Sequence, residues 1–428
     1  MKKQTQLREA GTGRALGTLL LLLVAVLTLG ACDSLLNVDA PSRVPSDKLD
    51  DPANAPLLLN GAIGDFECAF GAYVVLGGII GDELIDATQT ADRWPYDRRD
   101  VQASDRRYGE SSCVNLGVYS PLSTARWDTE NLLSKLNGWT DAQVANRAAM
   151  MTTAQAYSGY AHLLLGEGFC EGVLLDANLQ AGGISTRAEV LQRAEERFTQ
   201  AITSAQAAGN ADILNMALVG RARTRLDLGN RAGAAADARL VTANYVKNAT
   251  ASTVATTREN RVNRENNTST NVSVGVPYRG LTFGGVADPR VNVTDTGKNA
   301  SDGTRIWVQN KYPTLASPIP LATWTEAQLI IAEVDGGQTA VGIINALHRR
   351  AGLPDFASTD AAAIQRQVIE ERRRELFLDG HHLGDVLRYN LALTPAAGTA
   401  YPKGGSYGNA ACLPLPNIER LNNPKIGA

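Results

Sequence analysis

From Ser185 to Asn244 the chain repeats one device: apolar residues at helical spacing, a polar or glycine break, then another such segment. In STRAEVLQRAEERFTQAITSA a cap at Ser185 or Thr186 opens a helix that places Val190, Ala194, Phe198, Ala201 and Ile202 on one face. ADILNMALVGRARTRLDLG reads as a second helix ended by Gly229, and RAGAAADARLVTAN as a third whose alanines permit a close helical hairpin. The same return at three and four runs through ARWDTENLLSKLNGW and NRAAMMTTAQAYSGYAHLLLGEG, and helices resume at Thr323. Between Lys247 and Tyr312 the pattern vanishes into an Asn-, Thr-, Ser- and Gly-rich stretch with few buried anchors before Trp307, predicted to form loops and short hairpins. A structureless stretch of that length is more often functional than accidental, so residues 247–312 are a candidate binding rim.

With 428 residues, 44% of them hydrophobic, the chain can bury a substantial core. Its formal net charge of -3, with lysines and arginines interleaved among acids, leaves no basic stripe for phosphates, so nucleic acid is not expected as a partner. MKKQTQLREAGTGR followed by an apolar run over residues 15–30 reads as a secretory signal. Leu29-Gly30-Ala31-Cys32 resembles the bacterial lipobox, in which the cysteine is acylated and becomes the new N-terminus. Residues 1–31 are then a lipoprotein signal peptide, Cys32 is the lipidation site, and residues 32–50 form a tether ahead of one folded body over 51–428. The alternatives are a soluble secreted chain and a plain transmembrane anchor, for which the run is shorter than the about 20 residues needed to span.

Setting Cys32 aside leaves Cys68, Cys113, Cys170 and Cys412, an even number in a chain sent out of the reducing cytoplasm. Three pairings into two disulfides are open. Short loop closure favours Cys68 with Cys113, which leaves Cys170 with Cys412; free buried thiols are the alternative. Their spacing lacks the pattern of structural zinc, and no metal site is expected.

Arg221-Ala222 with Leu226 and Gly229, then Ala234 and Ala238, resembles tetratricopeptide repeats, in which paired helices stack into a solenoid. A more specific resemblance runs through the last quarter. TWTEAQLIIAEV, INALHRRAGLP, AIQRQVIEERRRELFLDGHHLGDVLRYN and the closing CLPLPNIERLNNP together resemble the SusD/RagB family. Matching positions are Glu326, Leu329, Ala332 and Glu333; Arg350 to Pro354; Glu371-Arg372, Glu375-Leu376, Asp379-Gly380-His381, Asp385-Val386 and Arg388; and Leu413 to Pro416 with Glu419 and Asn423-Pro424. His382 stands where the family usually has arginine. Looser matches occur at Gly81 to Glu83 and Glu171 to Leu175.

The resemblance implies a mainly all-α, tetratricopeptide-like helical repeat scaffold with an irregular loop-rich ligand-binding face. It also implies a non-catalytic, lipid-anchored outer-membrane protein that needs no cofactor. Such a protein captures oligosaccharide or peptide and passes it to a SusC-like TonB-dependent outer-membrane transporter. A structural envelope adaptor and a surface hydrolase are the alternatives.

Several local patterns carry chemistry of their own. His381 and His382 are adjacent, and on a helix adjacent residues point about 100 degrees apart, so they do not share one metal as an i, i+4 pair would. Glu371, Glu375 and Asp379 fall in one helical row beside Arg372, Arg373 and Arg374, so ion pairing that holds the helix to the body is expected, with a pH-sensitive contact as the alternative. Gly404, Ser406 and Gly408 satisfy G-x-S-x-G, but their flanks read as loop rather than strand and helix. Asp82, Glu83 and Asp86 offer carboxylates whose separation a sequence does not show. Flat rings among polar groups suit sugar or peptide recognition. Trp94 and Tyr96, in DRWPYDRRD, therefore join Asp82, Glu83 and Trp307 as ligand-binding candidates, with core capping as the alternative. Tyr278 and Phe283 are weaker candidates, Tyr312 reads as structural, and Trp127, Trp139 and Trp324 as core.

Overall fold

Helix α1 (Ala55–Ile80) is apolar on every side over its second half, and nearly every residue from Phe66 to Ile80 is buried. The stretch Pro52–Ile80 is long and apolar enough to cross a membrane, yet 83% of its most apolar window lies inside the protein, so other helices supply its apolar surroundings. The computed structural model describes residues 49–426. The expected signal peptide, Cys32 and nearly all of the tether lie outside the described residues. From Pro52 onward the chain forms one compact unit.

After α1 come β1 (Leu84–Asp86) and the short α2 (Trp94–Arg98), then α3 (Tyr119–Gly138) and α4 (Arg147–Gly168). A hairpin of β2 (Glu171–Leu175) and β3 (Ala181–Thr186) leads into α5 (Arg187–Ala208), α6 (Ala211–Asp227) and α7 (Arg231–Arg239). From α3 to α7 each helix packs on the next, the stacking expected of a helical repeat. Thr186 caps α5 through a capping box with Glu189, whose carboxylate accepts the Thr186 N–H at 2.7 Å. Gly209, at φ 63°, ends the helix in the left-handed conformation.

One ring sets the spacing of three helices. Phe198 of α5 projects between α4 and α6 at two positions without a Cβ: an added Cβ would come within 2.7 Å of its ring at Gly159 and 2.4 Å at Gly220. Tyr160 meets the same ring edge-on at 4.9 Å. The glycines leave room for the aromatic wedge, and this close fit makes the repeat specific.

The helical stack is interrupted and then rejoined. β4 (Val246–Ala249) pairs antiparallel with β10 (Ile319–Thr323), so the two ends of the insertion meet. Thr323 caps α8 (Trp324–Asp335), which packs on α7. Inside the insertion β5 (Val272–Val274) pairs with β1, β6 (Thr282–Phe283) with β7 (Val286–Ala287), and β8 (Val293–Asn299) with β9 (Arg305–Gln309). Its asparagines replace missing secondary structure: Asn266 donates to Val272 O and Trp307 O and accepts from Gln309 N–H, while Asn263 donates to Tyr312 O. Irregular backbone can be buried because these amides satisfy it. The insertion is accordingly better anchored than its composition suggested, with Val262, Val272, Val274, Tyr278 and Val291 all buried.

The chain closes with α9 (Gly337–Ala351), α10 (Ala361–Glu375), α11 (His382–Tyr389) and α12 (Asn417–Asn422). α10 stops at Glu375, so Asp379 does not continue the row of Glu371 and Glu375 but stands in the following turn, where Leu378 and Gly380 have φ of 56° and 78°. Disulfides join Cys68 to Cys113 and Cys170 to Cys412. Trp127 is 41% exposed, against its expected place in the core; Trp139 and Trp324 are half-buried.

Gly220→Ala is expected to destabilise the protein by about 1–3 kcal/mol, read as a lower urea midpoint, because the new methyl meets the Phe198 ring. Gly342→Ala, at an exposed helical position with open space around it, should instead stabilise by about 0.5–1 kcal/mol.

Candidate ligand pocket on the loop-rich face

The turn between α10 and α11 ties the helical body to the loop face. Glu83, fully buried after α1, accepts the Leu378 N–H at 2.8 Å, and burial pushes its carboxyl up to about 7. Asp379 pairs with Lys311 Nζ at 2.7 Å and accepts from the Tyr312 hydroxyl. His381 Nε2 lies 3.2 Å from Glu326, whereas His382 Nε2 lies 3.6 Å from Asp82. The two imidazoles thus face different carboxylates on different elements. Burial would lower the His382 pKa, but Asp82 and Glu83 outweigh it and raise it. Among the described residues no group of three or more His, Cys, Asp or Glu side chains is placed to hold a metal ion.

Beside this turn, the end of α1, the β1–β5 pair and residues 394–407 enclose a cavity of about 320 Å3. Its apolar wall includes Leu84, Val276, Pro395, Pro402 and Tyr407; Asp82, Asp97, Arg99, Arg279 and Arg305 supply charge. The Arg99 guanidinium sits 4.9 Å from the Tyr407 ring centroid and donates to Pro395 O. Tyr407 meets Tyr401 edge-on at 5.1 Å, and the Tyr401 hydroxyl donates to Asp97 at 3.1 Å. Burial, reinforced by repulsion from Asp86, lifts the Asp97 carboxyl to about 7. Arg279 donates to Val274 O and holds its guanidinium 5.3 Å from the Trp307 ring centroid.

Two glycines make the enclosure possible. A Cβ at Gly275 would lie 1.9 Å from Asp82 O, and one at Gly408 would lie 2.2 Å from Arg99 O. Ring and guanidinium planes beside a few fixed hydrogen-bonding groups are the composition of a small-ligand site. Such planes can lie against the C–H faces of a sugar while the polar groups fix its orientation.

Residues 324–413 match the SusD family model. A SusD homolog from Bacteroides thetaiotaomicron superposes with a TM-score of 0.67 at 13% identity, covering 90% of this chain and 99% of that one. Over residues 324–413 the chain is thus similar to the SusD family, and its overall fold is similar to that of SusD-like proteins. Its fold is also similar to a SusD-like carbohydrate binding protein from Bacteroides vulgatus, with a TM-score of 0.65, 15% identity and coverage of 88% and 97%. A laminarin binding SusD-like protein gives a TM-score of 0.65 at 15% identity, covering 88% of this chain and 98% of that chain. No curated protein matches this one in sequence.

On this SusD-like scaffold the five candidate residues separate. Asp82 lines the cavity, and its carboxylate accepts the Thr394 N–H at 2.7 Å. Trp307 is half-buried next to Arg279, just behind the cavity wall. Trp94 is half-buried too, but its indole N–H is spent on Thr88 O at 3.1 Å and it is not on the wall. Glu83 and Tyr96 are corrections. Glu83 is sealed under the turn, and Tyr96 is fully buried with its hydroxyl accepting the Tyr108 N–H, because α2 folds inward rather than forming an open loop. Tyr278 is likewise buried, stacked on Phe377 at 5.0 Å. Asp86 is fully buried and ion-paired to Arg93 and Lys403, which removes it from any exposed carboxylate pair.

Arg99, Arg279 and Tyr407 were not singled out from sequence. The stretch YPKGGSYG over residues 401–408, with two tyrosines among glycines, carried a signal that attention to its serine obscured. Ser406 is bridged to Ala400 in a loop, and Gly408 is explained by its approach to Arg99 rather than by a nucleophile elbow.

Two outcomes follow from the buried charges. An Asp97 whose folded pKa is raised makes a contribution that is fully favourable below its unfolded pKa of about 4 and is lost as pH rises through its folded value of about 7. Asp97→Asn, which retains an acceptor for Tyr401, should therefore raise Tm more at pH 8 than at pH 5. Asp385 is held far below the usual carboxylate range because Arg372 and Arg388 outweigh the cost of its burial. Asp385→Ala should cost about 3–5 kcal/mol in urea unfolding, since both arginines lose their shared carboxylate.

Proposed function

We propose that this protein is a SusD-like, non-catalytic surface lipoprotein that captures an oligosaccharide in the loop-face cavity and delivers it to a TonB-dependent outer-membrane transporter. The carrying observation is the cavity's paired planes, Arg99 on Tyr407 and Arg279 beside Trp307, set around Asp82 and an apolar wall. Carbohydrate is favoured over peptide because relatives of the same fold are carbohydrate- and laminarin-binding proteins. Residues 1–31 act as the signal peptide, Cys32 carries the lipid, residues 32–50 tether the body, and residues 51–428 act as one unit. Trp307 contributes by holding the Arg279 plane, and Asp82 by hydrogen bonding to ligand hydroxyls.

Calorimetric titration with laminarin-derived oligosaccharides, alongside a set of short peptides, tests the capture step. The glycans are expected to bind without turnover, and Tyr407→Ala or Arg279→Ala should each weaken binding by about tenfold or more, as removal of a central contact does. Peptide binding with no glycan binding would replace the ligand class, and turnover dependent on Ser406 would replace binding by hydrolysis. A mild-detergent purification of the lipidated protein should bring down a large TonB-dependent barrel. Recovery alone would remove the transporter from the proposal.

A further inference from the structure

Helices α3, α4 and α5, with the β2–β3 turn, enclose a second cavity of about 430 Å3 that shares no lining residue with the loop-face pocket. Glu130 of α3 and Gln155 and His162 of α4 are its buried polar groups. His162 Nδ1 lies 2.9 Å from Ser158 O; a carbonyl only accepts, so Nδ1 carries the proton of the neutral ring and Nε2 is an acceptor. Burial keeps the ring neutral by pressing its pKa down to about 3. Glu130 is already engaged, accepting from Arg197 Nε at 2.7 Å and from the Ser158 hydroxyl at 2.6 Å. Gln155 is not engaged in this way: it is 8% exposed, and its buried Oε1 has no hydrogen-bond partner. A buried carboxamide oxygen without a donor is uncommon in a folded protein unless something else supplies one.

The charges around the cavity cancel locally. Arg197 pairs with Glu130, Arg193 with Glu196 at 2.9 Å, and Asp176 with Lys425 at 3.0 Å. An ionic ligand would find no unpaired countercharge here. A hydroxyl group can donate to Gln155 Oε1 or His162 Nε2 and can equally accept from an arginine or amide N–H, so it suits either end of the carboxamide.

We propose that this cavity is a second ligand site, which takes a neutral polyhydroxylated molecule of the size of one sugar ring, with Gln155 and His162 receiving its hydroxyl protons. The volume falls within the range of small-molecule sites. The proposal does not rest on the reading of the loop-face pocket, since the two cavities are built from different side chains.

Saturation-transfer NMR on the whole protein, with D-glucose, D-galactose and myo-inositol each at millimolar concentration, tests it. At least one probe should show transfer that persists in Tyr407→Ala and is weakened about tenfold or more by Gln155→Leu, which removes the unpaired buried acceptor. Asn137→Trp, placed at the exposed mouth of the cavity, should block the same signal without touching the buried groups, and it decides the matter if Gln155→Leu does not fold. The proposal is overturned by absence of transfer from all three probes, by transfer that Tyr407→Ala abolishes, or by transfer that survives Asn137→Trp. Failure of glycan binding at the loop face, with transfer retained here, would count only against the loop-face reading.

Discussion

Asp385 receives two arginines in the interior, Arg372 through paired bonds of 2.8 and 2.9 Å and Arg388 at 2.7 Å, and the geometry of the last quarter of the chain depends on that meeting. Buried charges must be paired, and each partner fixes the element that carries it. Arg388 also reaches Glu333 on α8, while Arg223 on α6 joins Glu167 on α4 and donates to Gly380 O at 2.9 Å in the turn. Five helices are thus referenced to one short turn. Gly380 sits so close to α1 that a Cβ there would lie 3.1 Å from Val74, and its φ is 78°, which together account for the glycine at this point.

The same turn sets the loop face. Glu83 holds Leu378, His382 approaches Asp82, and β1 then leaves α1 to pair with β5 of the insertion. Asparagine amides keep that insertion ordered where regular hydrogen bonding is absent. A cavity walled by loops can hold its shape because the loops are anchored to a helical stack that the Phe198 wedge spaces. Helical regularity and loop irregularity therefore have separate tasks: one supplies the frame, the other the varied surface.

Much of the frame was legible from local pattern. A cap at Ser185 or Thr186, the restart after Thr323, the helical periods and the irregular 247–312 stretch all depend on neighbours within a few residues, which a sequence displays directly, and the structure places the cap at Thr186. The count of cysteines left three pairings open and loop closure only favoured Cys68 with Cys113 and Cys170 with Cys412, the pairing that the structure shows. Helix length in the final motif was not legible: the charged row seemed to run on to Asp379, but Leu378 and Gly380 take left-handed conformations that end it.

The candidate site was legible only in part, because whether a side chain is exposed is decided by what folds over it. Tyr96 and Glu83 carry suitable chemistry, yet one is enclosed with Tyr108 and the other under Leu378. Trp127 has a core residue's composition and helical setting, and remains 41% exposed. The cavity joins residues near 82, 279 and 407, and no spacing rule links positions so far apart. By itself the sequence determined the helical periods, the breaks between them and the family motifs, since these are short-range properties of the chain. Tertiary structure decided which polar groups were consumed by burial and which remained free to meet a ligand, since that depends on contacts between segments hundreds of residues apart.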